Sequence, residues 1–292
     1  MLLDKIYLRV LPVLFIVCLN SCSKSSSSGT TGGYGNPPPV IPPVTNTTIK
    51  LRADSQFGSV LSTGDGKTLY FFALDANGSS ACTGGCLSAW PTIYIASPTI
   101  GTGLDAADFA TITRSDGAKQ TTYKGWPLYT YVSDAIAGDT KGDGVQGVWF
   151  VAKPDYTVML AVTQLVGNDG VSYDSTYKPA SGKTTYMTDD RGATLYAFSY
   201  DQTGKNNYTL PDFSNDGFWP IVQINDIQSV PSSLDKSAFS YITVFTKPQL
   251  TYKGWPVYLF GPDGKIRGNT KGVSVPTPGV WPVMDQFSPA AP

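Results

Sequence analysis

Tyr70-Phe71-Phe72-Ala73-Leu74-Asp75 is a string of Tyr, any residue, an aromatic, two more of any kind, and Asp. It returns as Tyr129/Tyr131/Asp134, Tyr196/Phe198/Asp201 and Tyr258/Phe260/Asp263. A tryptophan closes each copy, Trp90, Trp149, Trp219 and Trp281, at Tyr-to-Trp intervals of 20, 20, 23 and 23 residues. So regular a period marks one supersecondary unit used four times. On a strand the Tyr and the aromatic two places on share a face. The residue between them, Phe71, Thr130, Ala197 or Leu259, varies in polarity. The Asp falls where the strand gives way to a turn, and there it is expected to accept from backbone N–H groups two residues on. A β-like run precedes each Tyr (59–62, 110–113, 184–188 and 241–245) and another starts at each Trp, which predicts three strands per unit.

A longer period overlies the short one. Thr122-Tyr123-Lys124-Gly125-Trp126-Pro127 returns 129 residues later as Thr251-Tyr252-Lys253-Gly254-Trp255-Pro256. Leu104-Asp105 and Phe109 return 130 later as Leu234-Asp235 and Phe239. Units one and three are of one kind, and units two and four of another. The expected fold is all-β, with four three-stranded repeat units as a duplicated pair (49–154 and 155–292). They would form either a small propeller-like ring or two β-sandwich-like halves. A strand ladder between the first and last units would mark the ring.

The N-terminus predicts export. Lys5 and Arg9 precede an apolar stretch, Val10 to Leu19, that is too short to span a bilayer. The stretch ends in Leu19-Asn20-Ser21-Cys22, similar to a bacterial lipobox in which the cysteine carries lipid. Residues 1–22 are therefore expected to be a lipoprotein signal peptide with Cys22 as the lipidated residue, and acyl chains there would hold the protein at a membrane. Residues 23–48 are Ser, Gly, Thr and Pro with few packable side chains, a tether by composition. The expected location is the bacterial cell envelope, at the outer membrane facing the periplasm or at the cell surface.

Composition narrows the chemistry. A net charge of −1 with 15% charged residues argues against nucleic acid as a partner, because phosphate binding needs clustered Lys and Arg. Histidine is absent, which excludes Ser-His-Asp, Cys-His and His-zinc sites. No cofactor or metal is expected.

The Tyr-x-aromatic-x-x-Asp signature, the run Tyr123 to Tyr129, the loop Gly138-Asp139-Thr140-Lys141-Gly142, and Cys82-x-x-x-Cys86 followed by Trp90-Pro91 resemble the bacterial secreted-repeat lipoproteins. The resemblance covers about residues 57 to 285. It implies an envelope location and a repeat fold, and it carries no activity. The second half lacks the cysteines, with Tyr208 and Asp212 at the equivalent positions.

The motif has two readings. Its rings and carboxylates form either a scaffold or, gathered round an axis, an aromatic and acidic pocket for a cation or a sugar. Cys82 and Cys86 in an exported chain predict a disulfide. The spacing is not Cys-x-x-Cys, and no positive group is evident beside the pair in the sequence. The run 139–144 looks like a calcium loop, but Lys141 and Phe150 occupy its third and twelfth positions, where oxygen ligands are needed. Trp126 and Trp255 are candidates for a surface that binds an envelope protein or glycan. The function these features favour is a non-catalytic binding or structural module. The alternative is an accessory of envelope redox or metal traffic using Cys82 and Cys86. A carboxylate-based hydrolase would need two facing acids, and no feature places such a pair.

Overall fold

The computed structural model describes residues 47–292, so the signal peptide, Cys22 and nearly all of the tether lie outside the described residues. Fourteen short strands carry the fold: β1 (Thr48–Asp54), β2 (Gly58–Thr63), β3 (Tyr70–Phe72), β4 (Thr99–Ile100), β5 (Phe109–Thr113), β6 (Lys119–Tyr123), β7 (Trp126–Pro127), β8 (Trp149–Val151), β9 (Met159–Val166), β10 (Ser172–Tyr173), β11 (Lys183–Thr188), β12 (Phe239–Val244), β13 (Lys247–Tyr252) and β14 (Trp255–Pro256). Besides 3-10 turns the described residues form one five-residue helix, α1 (Gly85–Ala89). The sheets are small, in the orders β2-β1-β4, β5-β6-β7, β10-β9-β11, β12-β13-β14 and β3-β8.

Local chemistry sets the hairpins. Between β6 and β7 the two turn residues are Lys124 and Gly125, at φ 49° and 80°, and between β13 and β14 they are Lys253 and Gly254, at 48° and 85°. Two successive positive φ angles make the type I′ turn whose twist suits a two-residue hairpin, and Gly meets that demand without a Cβ clash. The duplicated Asp105 and Asp235 each cap a 3-10 turn, accepting from Ala107 N and Ser237 N.

The motif strands pair differently from the expectation of three strands within each unit. β3, carrying the first Tyr, runs antiparallel to β8, the Trp strand of the second unit, with Tyr70 opposite Val151 and Phe72 opposite Trp149. Thr92, just past Trp90, bridges Tyr129 in the same reciprocal sense. Tyr70 and Tyr129 exchange both backbone hydrogen bonds, at 2.9 and 3.2 Å, which places a local two-fold between units one and two. Tyr196 and Tyr258 do the same at 2.9 Å each, flanked by bridges to Val283 and Ile221. Of the segments expected as strands at the Tyr and the Trp of each unit, only β3 and β8 are strands; Tyr129, Tyr196 and Tyr258 and the runs after Trp90, Trp219 and Trp281 make isolated bridges. Segments this short are marginal alone, and exchange with a neighbour gives each Tyr two partners.

No ladder joins the first and last units among the described residues, and no sheet closes on itself. Nor do the two halves have separate interiors. One hydrophobic cluster runs from Leu61, Phe71 and Trp126 of the first half to Ala161, Tyr186 and Trp219 of the second. Arg267 pins the halves together: its Cζ lies 4.3 Å from the centre of the Trp126 ring, and its Nη1 donates to the carbonyls of Lys124 and Arg191.

Candidate functional site

Each motif tyrosine is bonded to the aspartate of the neighbouring unit. Tyr70 Oη donates to Asp134 Oδ2 at 2.6 Å, and Tyr129 Oη donates to Asp75 Oδ2 at 2.7 Å. In the second half Tyr196 donates to Asp263 at 2.6 Å and Tyr258 to Asp201 at 2.7 Å. All eight side chains are buried. Each such bond contributes about 0.5–1.5 kcal/mol net with the carboxyl neutral and about 1.5–3 kcal/mol with it ionised.

The rings follow the same exchange. Trp90 and Trp149 lie face to face at 3.8 Å and 2°. Phe72 of unit one stacks on Trp149 of unit two at 3.9 Å, and Tyr131 of unit two stacks on Trp90 at 4.2 Å. The result is a four-ring column, Phe72–Trp149–Trp90–Tyr131. Its counterpart, Phe198–Trp281–Trp219–Phe260, has successive spacings of 4.4, 3.7 and 4.4 Å. Every Trp also meets its own unit's Tyr edge-on at 5.0–5.4 Å. The motif residues thus form two closed columns, not one common acidic pocket.

The second carboxylate oxygen of each Asp ties down a loop. Asp75 accepts from Ala81 N, Asp134 from Lys141 N, Asp201 from Asn207 N and Asp263 from Lys271 N. These partners lie six to eight residues on, not the expected two, so the carboxylate closes a longer loop than a tight turn. In units two and four the bonded Lys is followed by a glycine packed against the column. A Cβ on Gly142 would sit 2.7 Å from Trp90 and 2.8 Å from Tyr70, and one on Gly272 would sit 2.7 Å from Trp219 and 2.8 Å from Tyr196. The repeated Thr-Lys-Gly at 140–142 and 270–272 was the available signal for this contact. Flanking the first of these runs, Asp139 accepts from Ala135 N and the Lys141 ammonium, and Asp143 from Val151 N.

Burial pushes the Asp75 carboxyl up to about 7 and that of Asp201 up to about 6, with Asp134 and Asp263 moved the same way for the same reason. A carboxyl that holds its proton more tightly folded than unfolded adds stability that is whole below about pH 4 and is lost as pH rises through its folded value. Denaturant midpoints are therefore expected to fall between pH 5 and pH 8, by an amount on the order of a few kcal/mol in stability. Asp75→Asn and Asp201→Asn should each flatten the profile. Carboxyls held low, such as Asp54 and Asp116, titrate below this window. A midpoint that rises over the same range would contradict the assignment. A cavity beside one motif carboxylate, Asp263, is about 10 Å³, room for one water and for no substrate.

Cys82 and Cys86 form a disulfide with Cα atoms 5.4 Å apart. A positive group does lie beside it, contrary to the expectation from sequence. Arg114, brought in by the β5–β6 hairpin and buried, donates to the Cys82 carbonyl at 2.8 Å and to Ser80 Oγ. Ser80 Oγ is 2.7 Å from Tyr129 Oη, so the guanidinium, hydroxyl, phenol and Asp75 form one chain. In the second half the position equivalent to Cys82 is Tyr208, its ring edge-on to Trp281 at 4.8 Å. Closing so short a loop contributes about 2 kcal/mol by the loop-entropy relation. Cys82→Ser with Cys86→Ser should lower stability by about that amount, and chemical denaturation measures it.

The two duplicated tryptophans part company. Trp126 is fully buried, its Nε1 donating to the Asp190 carbonyl at 3.1 Å and its face covered by Arg267, so it is not part of a binding surface. The second half packing onto it is the physical reason. Trp255 stays half-exposed, with Nε1 donating to the Pro289 carbonyl at 2.9 Å, and it lines a cavity of about 330 Å³.

Two stretches, residues 52–93 and 110–153, match the family described as a secreted repeat of unknown function, one copy across each of the first two Tyr–Trp units. This is the family the motif resembles, and its description as secreted fits a location outside the cell or in its envelope. No curated protein and no solved structure matches.

Proposed function

We propose that this secreted-repeat chain is a lipid-anchored protein of the bacterial envelope, held through Cys22. Its four quasi-equivalent units, two dyad-related pairs, serve as a non-catalytic module that binds an envelope protein or glycan. The observation that carries the reading is the consumption of all four Tyr–Asp pairs inside the two ring columns. Groups closed on each other and buried are scaffold. Binding then belongs to side chains the scaffold leaves facing outward, of which Trp255 is the one the duplication singles out. The apolar stretch before Cys22 and the Ser- and Pro-rich segment after it support the anchor. No helix among the described residues is long and apolar enough to cross a membrane.

Fractionation of cells making the full chain or its Cys22→Ala variant tests the anchor. The native chain is expected with membranes and the variant in the soluble fraction. Pull-down from envelope extract and a glycan array, each repeated with Trp255→Ala, test the binding surface. Capture that survives the substitution undiminished would remove Trp255 from the contact.

A further inference from the structure

The cavity beside Trp255 has a cause that can be read from the duplication. In the first half the corresponding space is filled by two rings: Phe71 lies 6.0 Å from Trp126 and 6.3 Å from Tyr156, and stacks with Tyr123 at 6.5 Å. Counting from the motif tyrosine, the position of Phe71 is held by Ala197. Counting from the closing tryptophan, the position of Tyr156 is held by Ser288. The alignment is anchored in space, because Lys124 Nζ donates to Pro154 O and its counterpart Lys253 Nζ donates to Gln286 O, the matching residue. Two rings are thus missing beside Trp255. The opening of about 330 Å³ that remains is lined by Tyr177, Trp255 and Phe287 along with Ala197 and Ser288.

Its size is at the lower end of the roughly 300–1,000 Å³ of small-molecule sites. Its rim is open, since Phe287 is 78% exposed. Among the described residues of the lining Asp285 is the one that is charged, where the first half has Lys153. Oδ1 of Asp285 accepts from Phe287 N at 2.8 Å and Ser288 Oγ at 3.1 Å, which fixes the carboxylate in the wall. Apolar space lined by aromatic side chains suits an aromatic ring, and a carboxylate selects a positive substituent over a negative one.

We propose that this cavity binds an aromatic ring carrying an ammonium group, either a free arylalkylamine or the aromatic N-terminal residue of a peptide. The inference deepens the binding-module reading at Trp255, and the two fail separately. A partner captured through Trp255 by a protein that ignores aromatic amines would sink this inference alone.

Calorimetric titration of the full chain with phenethylamine, 3-phenylpropanoate and a tripeptide that begins with phenylalanine tests it. Saturable binding of the amine is expected, at least about tenfold tighter than the carboxylate. A tripeptide tighter than phenethylamine identifies a peptide end as the source, and a weaker one identifies the free amine. Ala197→Phe restores the plug of the first half, and should abolish binding while leaving the thermal midpoint unchanged or higher. Asp285→Asn keeps the Oδ1 acceptor, and should erase the preference for amine over carboxylate. Absence of saturation, equal affinity for amine and carboxylate, or full binding by a folded Ala197→Phe protein would each overturn the proposal.

Discussion

Trp149→Ala is expected to cost about 3–5 kcal/mol, a large part of the stability of an ordinary domain. The ring is buried between two others, Trp90 at 3.8 Å and Phe72 at 3.9 Å, and meets Tyr129 edge-on at 5.0 Å. Removing it empties the middle of a column whose remaining members are held by short strands from two units, so collapse cannot refill the space. The loss should appear in urea unfolding. Near-ultraviolet dichroism should report the disrupted stack while the signal from Trp219 and Trp281 persists. Trp149→Phe keeps a ring in the column and should cost clearly less. An alanine variant that loses under about 1 kcal/mol would show that the column is not a main source of stability.

Gly142→Ala adds one methyl group and is expected to destabilise by about 1–3 kcal/mol or more. The new Cβ would lie 2.7 Å from Trp90 Cη2 and 2.8 Å from Tyr70 Cε1 and Cζ, well inside contact distance. Neither ring can retreat: Tyr70 is bonded to Asp134, and Trp90 is stacked on both faces. Gly272→Ala repeats the test in the second half, where Trp219 and Tyr196 take the same places. Gly85→Ala is the control. Nothing lies within 4 Å of a Cβ there, and the residue opens a helix, so stability should hold or rise by up to about 1 kcal/mol. Thermal midpoints of the three variants decide the point. Equal behaviour of Gly142→Ala and Gly85→Ala would exclude the close approach.

The sequence made the strands upstream of each Tyr, the duplication and the disulfide legible, because each is a local pattern of β-forming residues, spacing or compartment. What it hid was the partner of each motif residue. Tyr70 and Asp75 are five apart and look like parts of one device, yet their bonds go to Asp134 and Tyr129. Sequence proximity cannot distinguish a bond within a unit from the same bond exchanged across a local two-fold. Arg114 is hidden for a related reason, since 32 residues separate it from the Cys82 carbonyl that it meets. Trp126 and Trp255 sit in identical six-residue strings, but the first is covered by Arg267, 141 residues away. The Ala197 that leaves the second uncovered stood in plain view as the variable middle residue of the motif. Only the packing around Phe71 shows what that variation removes.

The reciprocal exchange between paired units is tested most directly by two double-mutant cycles read by urea unfolding. Tyr70→Phe combined with Asp134→Asn should show a coupling of at least about 1 kcal/mol, while Tyr70→Phe combined with Asp75→Asn should be additive within about 0.5 kcal/mol. Coupling of Tyr70 to Asp75, with none to Asp134, would contradict the exchange and return each motif to its own unit.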